Sequence, residues 1–129
     1  MARHQLLIVA HGSRRQASNQ EVMALGERVR ALGSPNVGHV EVAFLELAEP
    51  SIPDGLARCV ARGAEEIVVF PYFLAAGTHV AQDIPEALAE FGRLHPQVKL
   101  RLASHLGASS ALPGVILDVA GQMPWRPGT

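Results

Sequence analysis

Short apolar runs alternate along the chain with segments in which apolar residues recur every three or four positions. The short runs have the length and composition of buried strands, whereas the wider spacing is typical of amphipathic helices. Because the two kinds of segment alternate with short connections, the pattern predicts a parallel sheet with helices on both faces. The predicted strands are at 5–10, 40–45, 66–70 and 98–103.

Four helices are predicted from the apolar stripes between and after these strands. Gly33 and Gly63 end the first two stripes, as expected of helix C-terminal signals. Asp83 is a candidate N-cap of the third helix, with Pro85 in its first turn. The stripes are Val22, Leu25, Val29 and Leu32; Ile52, Leu56, Cys59 and Val60; Ile84, Leu88 and Phe91; and Leu112, Val115, Ile116 and Val119.

The fold class predicted from this order is α/β, with one four-stranded parallel sheet. Right-handed crossovers favour the strand order 2-1-3-4, in which the first and third strands are neighbours. The 129 residues suffice for one domain or for half of a symmetric assembly. We assign residues 1–121 to a single domain and 122–129 to a tail, in which Trp125 is either a docked cap or an interface residue.

Polar side chains follow the ends of all four predicted strands. His11, Glu46, His79 and His105 come after strands one to four, respectively. Since parallel strands point the same way, these residues converge on the carboxyl edge, where open α/β sheets bind ligands. The histidines that precede strands, and so belong to the opposite edge, are His4, His39 and His95.

Two histidines at one edge suit proton transfer or metal binding near neutral pH. Structural alternatives exist for each residue. His11 can satisfy a backbone carbonyl at a tight turn, His79 can cap the next helix, and Glu46 can be a solvated carboxylate. For His105 the structural role is favoured. Cys59 lies on an apolar stripe and is expected in the core.

Composition narrows the functional classes. With 11 basic and 12 acidic residues and a net charge of −1, the chain lacks the basic character of a nucleic-acid binder. No apolar run approaches the roughly 20 residues that span a bilayer, and the N-terminal run is too short for a secretory signal. The single cysteine fits a reducing compartment. These features predict a cytoplasmic protein without nucleic-acid or membrane partners.

Arg14 and Arg15 form the only adjacent basic pair, directly after His11-Gly12-Ser13. They are either a solvated helix start or a positive rim that attracts an anionic ligand to His11.

Three stretches of the chain resemble the small class II tetrapyrrole chelatases, the CbiX and SirB type of sirohydrochlorin chelatase. They are VAHGSR at 9–14, VAFLELAEPS at 42–51 and VVFPYFLAAGTHV at 68–80, which runs on to Asp83-Ile84-Pro85. The stretches occur in the family's order and spacing, and the likeness continues weakly through 102–107.

The resemblance implies a flavodoxin-like, chelatase-like half domain that inserts a divalent metal into sirohydrochlorin, on the way to cobalamin or sirohaem. Co²⁺ is the first choice and Fe²⁺ the second, and Ni²⁺ is known in close relatives. The metal is thus a substrate, and no tightly bound cofactor is expected. The family's two active-site histidines, which also bind the metal, fall on His11 and His79, and its acidic residue falls on Glu46. The resemblance also implies a homodimer, as expected of family members of this length.

Substrate contacts are expected from two groups of residues. Arg14 and Arg15 can pair with carboxylates of sirohydrochlorin, and an apolar lip of Tyr72, Phe73 and Leu74 can face the macrocycle. Thr78 and Ser104-His105 depart from the family pattern, which bears on metal choice and substrate handling.

Two other functions compete with metal insertion. One is a non-enzymatic dimeric carrier that binds Co²⁺ or Ni²⁺ through His11 and His79. The other is a histidine phosphatase, which needs an arginine directly before its nucleophilic histidine. Ala10 occupies that position and disfavours this second alternative.

Overall fold

The computed structural model describes residues 4–122 and 125–128. Strands and helices alternate as the hydrophobic pattern predicts. The elements are β1 (His4–Ala10), α1 (Gln16–Leu32), β2 (Val37–Phe44), α2 (Ile52–Ala61), β3 (Glu66–Pro71), α3 (Ile84–Leu94), β4 (Lys99–Leu102) and α4 (Leu112–Ala120). A π-helical turn at His79–Asp83 precedes α3, and a 3₁₀ turn at Leu106–Ala108 precedes α4.

The four strands form one parallel sheet in the order β2-β1-β3-β4, which confirms the predicted order. β1 therefore lies between β2 and β3. At its carboxyl end Ala10 is in register with Phe44, and Val9 with Pro71. The loops that follow these three strands consequently start side by side.

Helices cover both faces of the sheet, as predicted. α2 and α3 pack on the face that carries Leu7, Val9, Ile67 and Val69, all fully buried. α1 packs on the other face, over the apolar residues of β1 and β2. Glycines allow the close approach: a Cβ at Gly26 of α1 would lie 2.6 Å from Val42 Cγ2, and one at Gly55 of α2 would lie 2.9 Å from Ala43 Cβ.

Most of the predicted helix boundaries are confirmed. Gly33 and Gly63 follow α1 and α2 with φ of 73° and 87°, a region that glycine adopts without strain. Asp83 as an N-cap is wrong, because its backbone is already helical and its side chain makes no capping hydrogen bond. The chain turns helical at His79, four residues earlier, and frees the Asp83 carboxylate for another partner.

Two apolar stripes are only partly buried. Leu32 is 88% exposed in the last turn of α1, so its assignment to the packed stripe is wrong. The fourth stripe forms a helix as predicted, but Val115, Ile116 and Val119 are exposed. Cys59 lies in the core, as expected.

In the described part of the tail, 125–128, Trp125 is 81% exposed and is therefore not docked on its own chain. The tail residues Met123, Pro124 and Thr129 lie outside the described residues. The domain boundary at residue 121 stays a prediction. Within the described ranges, no helix has the length and apolar character required to cross a bilayer.

The core should depend on residues shared by the sheet and α2. Leu56 is fully buried, so we expect Leu56→Ala to lower the free energy of unfolding by about 2–5 kcal/mol through lost packing and a cavity. Leu94→Ala, at a position 67% exposed, should change it by less than about 0.5 kcal/mol. Urea titration followed by circular dichroism measures both. Equal effects of the two substitutions would contradict this account of the core.

Candidate functional site

The first two loops of the carboxyl edge meet at Gly12. The backbone N–H of Glu46 donates to the carbonyl of His11 at 3.1 Å, extending the β1–β2 pairing into the loops. Gly12 has φ of 95°, and a Cβ there would lie 1.8 Å from the Glu46 carbonyl oxygen. Glycine is required at this position, because any side chain would push the two loops apart.

This contact places the Glu46 carboxylate beside the His11 ring. Glu46 Oε2 lies 2.9 Å from His11 Nε2, with the two side chains 53% and 44% exposed. The other ring nitrogen, His11 Nδ1, lies 3.1 Å from the Gly12 carbonyl oxygen. Both nitrogens therefore face an oxygen acceptor, and a neutral ring can donate to only one of them. A metal ion between Nε2 and the carboxylate would replace the proton there.

His79 approaches from the third loop on the π-helical turn. Such turns are rare and occur frequently at functional sites. Its Nδ1 lies 2.6 Å from Asp83 Oδ2, one turn further along the chain. A neutral ring that donates from Nδ1 keeps the lone pair on Nε2, which is the form that accepts a proton or binds a metal.

The three side chains form a cluster. The rings of His11 and His79 have centroids 4.8 Å apart and are tilted by 49°. One candidate ligand atom from each of His11, Glu46 and His79 lies within 4.8 Å of the other two. In the described ranges, this is the one group of three or more histidine, cysteine or carboxylate side chains placed closely enough to hold a metal.

The size of the cluster suits a divalent transition metal. In tetrahedral coordination, bonds of about 2.0–2.2 Å place any two ligand atoms about 3.4 Å apart. The ligand atoms here lie within 4.8 Å of one another, and the side chains are about half exposed, so they can rotate inward to close the set. Two imidazoles and one carboxylate leave coordination positions open, unlike a closed four-ligand structural site.

Asn19 holds the loop between His11 and α1. It is buried, and its Oδ1 accepts from the Ser13 N–H at 2.9 Å while its Nδ2 donates to the Ser13 carbonyl at 2.7 Å. Arg14 and Arg15 follow at the exposed turn into α1. Arg14 and Arg15, the predicted basic rim, therefore lie three and four residues after His11 on a loop that Asn19 holds in place.

The predicted apolar lip lies on the third loop. The Tyr72 N–H donates to the Val9 carbonyl at 2.7 Å, which places the start of the lip next to β1. Phe73 packs partly into the core, whereas Leu74 is 71% exposed. Together with Leu106 they line a shallow pocket of about 200 Å³.

His105 is absent from the cluster, although it lies on the loop after β4. It directly precedes the 3₁₀ turn and follows the edge strand β4, which β3 separates from β1. The structural role that the sequence favours for His105 is consistent with this place.

Sequence reasoning missed two residues that shape the site. Asp83 was expected to cap α3, yet it binds His79, and its i+4 spacing from a histidine was the available signal. Asn19 has no signal of its own, because its bonds to Ser13 depend on how the loop folds.

The fold and the cluster define a class: an open α/β protein with a histidine–carboxylate site at the carboxyl edge of its sheet. The model of the CbiX family matches residues 5–122, and the chain belongs to this family.

Similar proteins come from plants and bacteria. The chain is 38% identical over 115 residues to the chloroplastic sirohydrochlorin ferrochelatase of Arabidopsis thaliana, covering 88% of this chain and 49% of that protein. The structure superposes with a TM-score of 0.78 on the sirohydrochlorin chelatase SirB of Bacillus subtilis subspecies spizizenii in complex with cobalt, at 33% identity over 92% of this chain and 51% of that one. The CbiX protein of Marinobacter aquaeolei VT8 gives 0.77 at 33% identity, covering 91% and 93%. The chain thus spans about half the length of the first two relatives and nearly all of the third.

The bond between Asp83 and His79 should matter for metal binding. We expect Asp83→Asn to weaken Co²⁺ binding by about 10–100-fold, because carboxylates behind a histidine ligand fix its tautomer and orientation. Calorimetric titration with Co²⁺ measures the dissociation constant.

The matched control is Asp54→Asn, an exposed carboxylate in the first turn of α2. It should bind Co²⁺ like the unmodified protein. Unchanged affinity in Asp83→Asn, with a native circular dichroism spectrum, would show that this bond serves only the fold.

Proposed function

We propose that this protein is a sirohydrochlorin chelatase that inserts a divalent metal into the tetrapyrrole. Co²⁺ is the first candidate and Fe²⁺ the second, in cobalamin or sirohaem biosynthesis. The observation that carries the proposal is the convergence of His11, Glu46 and His79 on one edge of the sheet. Membership of the CbiX family and the activities of the similar proteins support it.

The reaction exchanges two pyrrole N–H protons of the free macrocycle for one divalent cation. We assign metal delivery to His11 and His79, because imidazole binds borderline metals and releases them when better ligands arrive. The released protons need acceptors at the same edge. A histidine that has given up the metal is such an acceptor, and Glu46, more than half exposed, can pass a proton to solvent.

Substrate binding is assigned to the rim and the lip. Arg14 and Arg15 pair with the carboxylates of sirohydrochlorin at an exposed position, and Tyr72 and Phe73 offer apolar surface to the macrocycle. Metal and tetrapyrrole are both substrates, and the proposal requires no resident cofactor. Neither nucleic acid nor a membrane takes part.

We further propose that the protein works as a homodimer. Relatives of about twice the length have room for a second domain of this size, and one sheet provides a single wall for a flat macrocycle. A twofold dimer whose carboxyl edges face each other would supply the second wall. The free thiol of Cys59 is consistent with the reducing cytoplasm as the place of reaction.

The alternative is a dimeric metal carrier that binds Co²⁺ or Ni²⁺ without metallating a substrate. The open, half-exposed cluster favours it, since an ion can enter and leave directly from solvent. The absorption spectrum of sirohydrochlorin with added Co²⁺ separates the two functions. Enzyme-dependent conversion to the cobalt-bound spectrum supports the chelatase, whereas metal binding without conversion supports the carrier.

The two histidines should be essential for metallation. We expect His11→Ala and His79→Ala each to remove most of the activity while the fold persists, because both side chains are half-exposed and leave no core cavity. His95→Ala, at the opposite edge, serves as the matched control and should keep full activity. Near-normal turnover in a folded His11 or His79 variant would exclude that residue from the reaction.

The arginine pair should affect binding rather than turnover. We expect the double variant Arg14→Gln/Arg15→Gln to raise KM with little change in kcat, since it removes interactions present equally in the ground and transition states. Added salt should weaken capture by the unmodified protein more than by the variant, because exposed charge pairs are screened over about 8–10 Å. Steady-state metallation rates at two salt concentrations measure both effects.

Arg93→Gln is the control for this pair. It lies in the last turn of α3, toward the opposite edge of the sheet, and should leave KM unchanged. If the double variant has the KM and salt response of the unmodified protein, Arg14 and Arg15 are only a solvated helix start.

A further inference from the structure

The last helix is too short and too apolar to stand alone. α4 has nine residues, Asp118 is its single charged side chain, and Val115, Ile116, Leu117 and Val119 are 49–73% exposed. Isolated helices below about 12–15 residues are marginal in water even with favourable sequences. Gly114 further lowers the intrinsic stability of the helix. A helix of this kind needs an apolar surface to pack against.

Among the described residues, no helix covers one apolar surface of the sheet. α1 covers β1 and β2 on its face and leaves a groove beside β3, whereas parallel sheets are normally covered on both faces. The groove has a volume of about 380 Å³, room for about a dozen waters at about 30 Å³ each, and the surface it exposes is apolar. Its lining includes Leu6, Leu25, Val29, Phe70, Tyr72 and Leu106.

We propose that α4 of one copy of this chain packs into the groove of a second copy, and that the exchange is reciprocal. Each chain carries both the uncovered helix and the uncovered groove, so two copies related by a twofold axis bury all four surfaces at once. The inference rests on the proposed dimer and names the surfaces that hold it together.

The position of the groove supports a second copy as the occupant. One end opens at Tyr72, at the carboxyl edge where the second wall of the substrate cleft is missing. Relatives of about twice the length have as much polypeptide again outside the matched region, enough for a second domain of this size. An α4 that docks beside Tyr72 would therefore anchor the partner next to the cluster of His11, Glu46 and His79.

Cross-linking tests the contact directly. The double variant Leu25→Cys/Ile116→Cys is treated with a short bis-maleimide, because packed helices have axes about 8–10 Å apart. Burial raises the pKa of the Cys59 thiol to about 12, so at neutral pH it does not compete for the reagent. We expect a covalent product at twice the 13.7 kDa chain mass.

Other products would overturn the proposal. A cross-link within one chain would mean that α4 fills its own groove, and a covalent dimer of Ile116→Cys alone would mean that the two helices meet each other. Absence of any product would mean that α4 does not reach the groove. The control Leu94→Cys/Ile116→Cys, with its first cysteine on α3 across the sheet, should give no dimer.

A charge on α4 gives an independent test. Ile116 is 57% exposed in the single chain, so Ile116→Asp should not disturb the fold, but it should shift the mass in light scattering from two chains to one. Leu94→Asp, at a position 67% exposed, should remain dimeric. If Ile116→Asp stays dimeric, the helix exchange is excluded. Metallation by a dimer that forms no cross-link would likewise exclude the exchange while leaving the proposed function intact.

Discussion

The position of β1 between β2 and β3 is the constraint on which the site depends. In a parallel sheet the carboxyl ends of neighbouring strands lie side by side, about 4.8 Å apart in the hydrogen-bonding direction. Here the register aligns Ala10 with Phe44 and Val9 with Pro71, so the three following loops leave the sheet together. The backbone bond from Glu46 to His11 continues this alignment beyond the strands, and Gly12 makes it sterically possible.

The cluster of His11, Glu46 and His79 is accessible to solvent because of where it lies in the fold. Its side chains lie at the carboxyl edge of the sheet, and His11, Glu46 and His79 remain about half exposed. A structural metal site would need more ligands and more burial. Partial ligation at an exposed edge suits a metal that is held briefly and then handed over, which is the requirement of a chelatase. Asp83 holds the His79 ring through a hydrogen bond, and Asn19 holds the loop that follows His11.

The single domain is incomplete on one face as well as at its edge. A sheet of four strands with α1 on one side leaves the residues beside β3 without cover, and α4 projects an apolar surface without a partner. The same second copy would complete both the hydrophobic packing and the cleft. On this proposal, the contact between α4 and the groove beside β3 would also bring the partner's sheet edge to the open side of the cleft.

The sequence alone was sufficient to predict the fold class, the strand order and the placement of His11 and His79 at one edge of the sheet. Apolar periodicity is a local property, so it located four strands and four helices, and handedness rules then ordered the strands. The strand order then fixes where residues that directly follow a strand, such as His11, lie along the carboxyl edge. Contacts that depend on the conformations of the loops were decided only by the tertiary structure. The bond of Asp83 to His79 arises because a π-helical turn starts before α3, and the clamp of Asn19 on Ser13 arises from the loop's path. The exposure of α4 likewise reflects which surfaces one chain can cover, and an apolar stripe looks the same in sequence whether its partner is its own sheet or another copy.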